Sequence, residues 1–247
     1  MIFRFLKIKT VLLTVVLFQN INLKAQSTVN TPSQYENTWR QIQVIRNLLN
    51  TSNKSQPLLY EDIKGSPYKN DDFKLGKVYL KDSLLGEFML RYNLYNDELE
   101  VLSNDKNNEE FEIFIKHKDL SFEIDSDKFI VLYLKDDDGL IKNFFFQRLT
   151  DKDYDYKLYK RSYSKLSPAV KAPNFNQADK SAKFTTYKKY YIKNKQIISE
   201  LPTKKKNLFK FFPKYKEKLK SFLKSEKLKL NSDEDFKKLI IFINDLT

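Results

Sequence analysis

The chain has 247 residues, with 20 Phe and 15 Tyr, one His, no Cys and a formal net charge of +13. Without cysteine there is neither a disulfide nor thiol chemistry. With His117 as the single histidine, a Ser–His–acid triad or a zinc site built on several histidines has too few parts.

The charge is uneven. Residues 1–26 carry four basic residues and no acid, residues 27–150 carry 16 Lys/Arg against 21 Asp/Glu, and residues 151–247 carry 25 against 11. A basic C-terminal part attracts anionic partners. Of the 45 basic residues, however, 39 are Lys and six are Arg. Arginine is the residue suited to bidentate phosphate and base recognition, so nucleic acid is not the expected partner.

Arg4, Lys7 and Lys9 precede a short apolar run, Thr10 to Phe18, and "NLKAQS" follows with the small residue Ala25. That order reads as a secretory signal peptide over 1–26, leaving 27–247 as one domain with no transmembrane segment after cleavage. The alternative is an uncleaved N-terminal anchor, although the apolar run is short for a span of roughly 20 residues. "SQYE" is a capping box, in which Ser33 can accept from the backbone and Glu36 can reach back. Trp39, Ile42, Ile45 and Leu49 then recur at helical spacing, predicting a helix over 34–50. "NTSNKSQP" ends it as a loop.

From residue 58 the period changes to two. Strands are predicted at 58–63, 76–81, 86–95, 97–103, 109–117, 120–125, 128–135, 140–149, 154–164, 184–193 and 196–199. "YND" at 95–97, "DSD" at 125–127 and "DDDG" at 136–139 supply turns. "FIVLYL" (129–134) is apolar on both faces, as a strand covered on both sides would be. The stretch 166–182, with two prolines and no period, reads as a long loop. Thr203 is placed to cap a helix at 204–211, and Pro213 to start the next. Ser232, followed by three acids, caps the last helix, whose buried stripe is Phe236, Leu239, Ile240, Ile243 and Leu246. The fold class is therefore α+β: an antiparallel β-meander over 58–199, forming a curved sheet, roll or incomplete barrel. An N-terminal helix precedes it, and two to three C-terminal helices over 200–247 pack on it.

"KGSPYKNDDFKLGKVYLKD…LRYNLYNDELEV", with the ending "YYIKNKQIISELPTKKKNLFKFFPKYKEKLKSFLKSEKLKLNSDEDFKKLIIFIND", resembles a family of uncharacterised exported proteins of Bacteroidota. The resemblance covers roughly 58–246. It implies an exported or envelope-associated location and brings no activity, cofactor or catalytic residue. The chain departs at "DSLLG" (82–86), where the family pattern has a "DGK"-type turn.

The densest constellation is "MLRYNLYNDELEVL" (89–102). Alternation puts Arg91, Asn93 and Tyr95 on one side, a candidate patch for a polar ligand. The competing reading, which ranks first, is a hairpin whose Arg91 pairs across the ladder with Glu98 or Glu100. "DKDYD" (151–155) has the opening spacing of an EF-hand, but Tyr156 and Ser162 stand where Gly and Glu are required. The four glycines are scattered, so no phosphate-cradling loop is present. A pair of catalytic carboxylates ranks last, because no specific pair stands out. "TKKKNLFKFFPKYKEKLKSFLK" (203–224) interleaves Lys with aromatics. Its aromatics are expected to pack on the sheet, while Lys204, Lys205, Lys206 and Lys210 form a candidate contact with an anionic surface.

Together these features predict an exported, non-enzymatic envelope protein without a cofactor. Expected partners are an anionic envelope lipid or polysaccharide, or another envelope protein, at the periplasm, the outer-membrane surface or outside the cell. The alternative is a carrier of a small apolar or sugar ligand inside the curved sheet.

Overall fold

The computed structural model describes residues 43–45, 47–50, 63–102, 111–135, 138–150, 154–172, 174 and 178–247. The signal segment, the capping box at 33–36 and all but the last residue of the strand read at 58–63 lie outside the described residues, and Ile63 is not in a strand. Residues 43–45 and 47–48 are helical, but Leu49 and Asn50 form a short strand, β1, so the N-terminal helix ends two residues before its expected limit.

Ten further strands follow: β2 (Lys74–Leu80), β3 (Ser83–Asn93), β4 (Glu98–Leu102), β5 (Phe111–Phe114), β6 (Leu120–Ile124), β7 (Asp127–Lys135), β8 (Ile141–Arg148), β9 (Tyr156–Ser167), β10 (Lys183–Asn194) and β11 (Ile197–Glu200). Every strand read from residue 76 onward is present, with ends moved by at most three residues. The helices are α1 (Lys205–Phe211), α2 (Lys216–Ser225), preceded by a 3₁₀ turn at Pro213–Tyr215, and α3 (Asp233–Asn244).

All strands join one antiparallel sheet in the order β1-β5-β4-β3-β2-β6-β7-β8-β9-β10-β11. The meander therefore comes in two runs, β2 to β5 and β6 to β11. At the junction the chain leaves β5 and pairs β6 with β2, four positions away. Across a flat sheet that distance is about 19 Å, nearly the full reach of the connector 115–119. The connector is not extended, because the Leu120 N–H donates to the His117 carbonyl at 2.8 Å. The β2–β5 run must therefore curl. Two local features permit it: a register shift between Val78 and Tyr79, and Gly76. A Cβ on Gly76 would sit 2.6 Å from the Glu123 carbonyl oxygen and 2.8 Å from Leu90 Cδ1.

Inside the curl, Val78, Leu90, Tyr92, Leu99, Phe114, Phe122, Phe129 and Phe145 make one core. Phe122 and Phe129 stack at 4.6 Å, and Tyr92 meets Phe122, Phe129 and Phe145 edge-on. Rings fill this interior. On the opposite face of β7, Leu132 packs with Phe146, Tyr159 and Tyr191, which explains why "FIVLYL" is apolar on both sides. A third core joins Leu158, Tyr190 and Ile192 to the C-terminal helices through Leu208, Leu219, Leu223, Phe236, Leu239, Ile240 and Ile243.

Two of the turns use left-handed backbone without glycine, whereas the "DDDG" turn has Gly139 at φ 80°. Asp125 and Ser126 have φ of 53° and 70° between the paired Ile124 and Asp127, the two-residue primed hairpin that "DSD" suggests. At the "DSLLG" departure, Lys81 and Asp82 turn the chain between the paired Leu80 and Ser83, with Lys81 at φ 57°.

Ser232 caps α3 as expected, accepting from the Asp235 N–H at 3.1 Å. Thr203 does not cap α1. The helix starts one residue later, with Lys204 at the N-cap and no side-chain bond there. Helix α3 is pinned at both ends. Lys160 and Tyr190 donate to Asp233 at 2.5 and 2.7 Å, and the Asn244 side chain exchanges two hydrogen bonds with the Tyr156 backbone.

Candidate functional site

The hairpin at 89–102 is built as a structural unit. Arg91 pairs across the ladder with Glu100, and its Nε and Nη2 donate to one carboxylate oxygen at 2.9 and 2.7 Å. The guanidinium lies between the rings of Tyr68 and Phe73, 3.9 and 4.3 Å from their centroids. Asn93 is buried. It donates to the other Glu100 oxygen and accepts from the Tyr95 and Asn96 N–H groups, closing the turn. Burial pushes the Glu100 carboxyl up, and Asn93 and Arg91 pull it partly back. Tyr95 is exposed and meets Phe184 edge-on. Of the three patch residues only Tyr95 keeps an open surface; the polar groups of the other two are engaged inside the protein.

The same turn has a second role that the sequence did not disclose. Strands β8 and β9 pair only at Gln147–Lys160 and Arg148–Tyr159, although both continue well beyond. The turn after β3 wedges into the fork. The Ser164 N–H donates to the Leu94 carbonyl at 3.0 Å, and the Phe145 N–H meets the Asp97 carboxylate at 3.4 Å. Asp97 is buried at φ 58°, and accepts from Tyr92 Oη at 2.6 Å and Lys116 Nζ at 2.7 Å. Its carboxyl is raised by burial, with Lys116 opposing. Asp97 thus satisfies an edge N–H of β8 that β9 no longer reaches.

Beyond the fork, the face of β9 and β10 away from the helices carries alternating residues: Tyr159, Arg161, Tyr163 and Lys165 on β9, with Tyr187, Lys189 and Tyr191 on β10. Register places Tyr159 opposite Tyr191, Arg161 opposite Lys189, and Tyr163 opposite Tyr187. A row of cations lies between two rows of aromatics. Of these, Arg161, Tyr163, Lys165, Lys189 and Tyr191 border an open cleft of about 460 Å³, together with Leu134, Lys135, Phe144 and Glu200. Lys189 pairs with Glu200 at 2.9 Å. Arg161 has no such partner. Its guanidinium lies 3.6 Å over the Phe144 ring, and its Nε is the one buried side-chain polar atom among the described residues without a hydrogen bond. An unsatisfied buried donor costs about 1–3 kcal/mol. Like charges directly opposite on a ladder, as Arg161 and Lys189 are, add to that cost. The signal was present in "YKLYKRSYSK" and "YKKYYIK" as cation–aromatic alternation at period two. It has meaning only once the two strands are known to pair in this register.

A second surface lies on the other side of the sheet. Between Lys204 and Lys229 there are eleven lysines and two acids, and all eleven lysines are exposed. Lys204, Lys205, Lys206 and Lys210 belong to it. The two acids are already committed, Glu217 to Lys220 and Glu226 to Lys238. The aromatics interleaved with the lysines turn inward: Phe212 is buried, and Phe209, Phe211, Tyr215 and Phe222 pack against the helical core.

His117 lies half exposed in the turn before β6, where its Nδ1 accepts from the Asp119 N–H at 3.2 Å. Among the described residues no cluster of His, Asp or Glu is arranged to hold a metal ion, and no helix is long and apolar enough to cross a membrane. A further open cavity of about 710 Å³ has Asp97 and Glu98 on its wall, next to Arg161 and Phe144. Asp97 is engaged there by Lys116, so the pair of acids is not one free acid beside one free base. No protein-family model, curated protein or solved structure matches the chain.

Proposed function

We propose that this protein is an exported, non-catalytic binding module of the bacterial envelope that attaches to an anionic surface through its lysine-rich helical face. The observation that carries the reading is the exposure of all eleven lysines between 204 and 229, with the only two acids of that stretch already paired. The aromatic side chains among them are spent on the core, so attachment is electrostatic and superficial rather than by insertion. The signal-peptide pattern and the resemblance to exported proteins of Bacteroidota supply the location. The carrier reading is less favoured, because stacked rings occupy the inside of the curl.

The test is sedimentation of the purified protein with anionic vesicles (lipopolysaccharide or phosphatidylglycerol) and with neutral ones, at low and high salt. Binding to the anionic vesicles alone is expected. It should weaken steeply as salt passes the range where the Debye length is about 8 Å. Changing Lys204, Lys205, Lys206 and Lys210 together to Ala removes up to about 1 kcal/mol per lysine at such a surface, a loss of up to roughly a thousandfold. Salt-insensitive binding, or none, removes the reading.

A further inference from the structure

We propose that the cleft at the β8–β9 fork binds an acidic saccharide, a sugar ring that carries a carboxylate. The carboxylate would sit on Arg161 and the ring would lie against the tyrosines beside it. The site is on the sheet face opposite the C-terminal helices and is independent of the lysine surface described above.

Three features of the cleft carry this inference. Four of the side chains that line it are cations, Lys135, Arg161, Lys165 and Lys189, against one acid, Glu200. Glu200 is already paired with Lys189, while Arg161 has no hydrogen-bond acceptor among the described residues. The other acid whose charge acts on Arg161, Asp97, borders a neighbouring cavity with it but is engaged by Lys116 and Tyr92. An anion in the cleft can accept from the terminal N–H groups of the Arg161 guanidinium and offsets the Arg161–Lys189 opposition. The planar guanidinium fork, fixed by Phe144 beneath it, matches a carboxylate with two parallel hydrogen bonds.

The aromatic rows decide what carries the carboxylate. Tyr163 lines the cleft beside the cation row and stacks at 5.6 Å and 21° on Tyr187, which lies next to the cleft and is 45 % exposed. A ring that is apolar on its face and polar around its edge, as a sugar is, fits tyrosine faces bordered by lysines. A free phosphate would leave the tyrosines unused. The volume, about 460 Å³, lies within the range of small-ligand sites. Lys135 and Lys165 border the same cleft and make no ion pair among the described residues, so they can meet the charges of neighbouring units in a chain.

Calorimetric titration of the purified protein with trigalacturonate tests this, with cellotriose, sulfated dextran and inorganic phosphate as comparators. Saturable binding of trigalacturonate is expected, without binding of cellotriose. Arg161→Lys keeps the charge but loses the fork, and should weaken binding roughly tenfold. Tyr163→Ala should weaken it severalfold. The combined Lys204, Lys205 and Lys206→Ala variant should leave it unchanged, whether or not that variant has lost vesicle binding. Circular dichroism melts establish that each variant is folded. No saturable binding of trigalacturonate at millimolar concentration overturns the proposal. So does binding indifferent to Arg161→Lys and Tyr163→Ala. Equal binding of cellotriose removes the need for the anion. Equal or tighter binding of sulfated dextran or phosphate shows a bare oxyanion site instead.

Discussion

Arg91 and Arg161 are two arginines in strands of the same sheet, and their surroundings give them opposite roles. Arg91 has a buried carboxylate across the ladder, a second ligand in the Asp71 carbonyl and aromatic rings on both faces. Its side chain and that of Glu100 are 14 % and 1 % exposed. Removing one partner of such a pair strands the other's charge, so Arg91→Ala should cost about 3–5 kcal/mol at neutral pH, read by urea denaturation. The pH dependence has a definite sign. The Glu100 carboxyl is raised above its unfolded value by burial, so its contribution is fully present below that value, near 4.5, and falls as pH rises through the folded one. In Arg91→Ala the carboxyl is raised further. The destabilisation should therefore shrink as pH is lowered and Glu100 takes up its proton. A cost equal at pH 7 and at mildly acid pH would contradict this account.

At the scale of elements, the joint between sheet and helices rests on a few polar contacts around an apolar stripe. Asp233 begins α3 and takes hydrogen bonds from Lys160 and Tyr190 on β9 and β10. Burial alone would raise its carboxyl, but Lys160 and Tyr190 outweigh it and hold it below the ordinary value. A lowered folded pKa contributes stability above the unfolded value, near 3.8, and loses it as pH falls through the folded one. Asp233→Asn should therefore be less stable than the parent at neutral pH, and the gap should narrow as pH drops below about 4. Thermal melts across that range check it. The three acids of the first turn of α3 and the Ser232 cap were legible in sequence, because capping is local chemistry between residues three apart. Asn244 was not. Its partner, the Tyr156 backbone, is 88 positions away in sequence.

For the whole molecule, the core inside the curl and the helix-covered core on β9 and β10 are separate, and the two parts meet where Leu132 and Phe146 pack with Tyr159 and Tyr191 and at the fork where the β3–β4 turn is inserted. The C-terminal helices cover Leu158, Tyr190 and Ile192, so a chain ended before α1 exposes a contiguous apolar face. Such a truncation should appear in the insoluble fraction on expression, since an apolar patch well above a few hundred Å² drives association. A soluble, monomeric truncation would show that the helices are an appendage rather than half of a core.

The sequence by itself determined nearly all of the strands, the three C-terminal helices and the antiparallel α+β class. Those depend on period-two and period-3.6 patterning and on turn chemistry, which act over a few residues. It also ranked a hairpin pairing Arg91 with Glu98 or Glu100 above the ligand patch, because cross-strand pairing follows once a tight turn is located; the register chose Glu100. The tertiary structure decided what lies four strands away. It set β6 beside β2, drove the 94–97 turn between β8 and β9, and put the cations of β9 opposite those of β10. Strand order and register are settled by how one curled sheet closes over its aromatic core. That is a collective packing condition, and Arg161 and Phe144 meet only because it is satisfied.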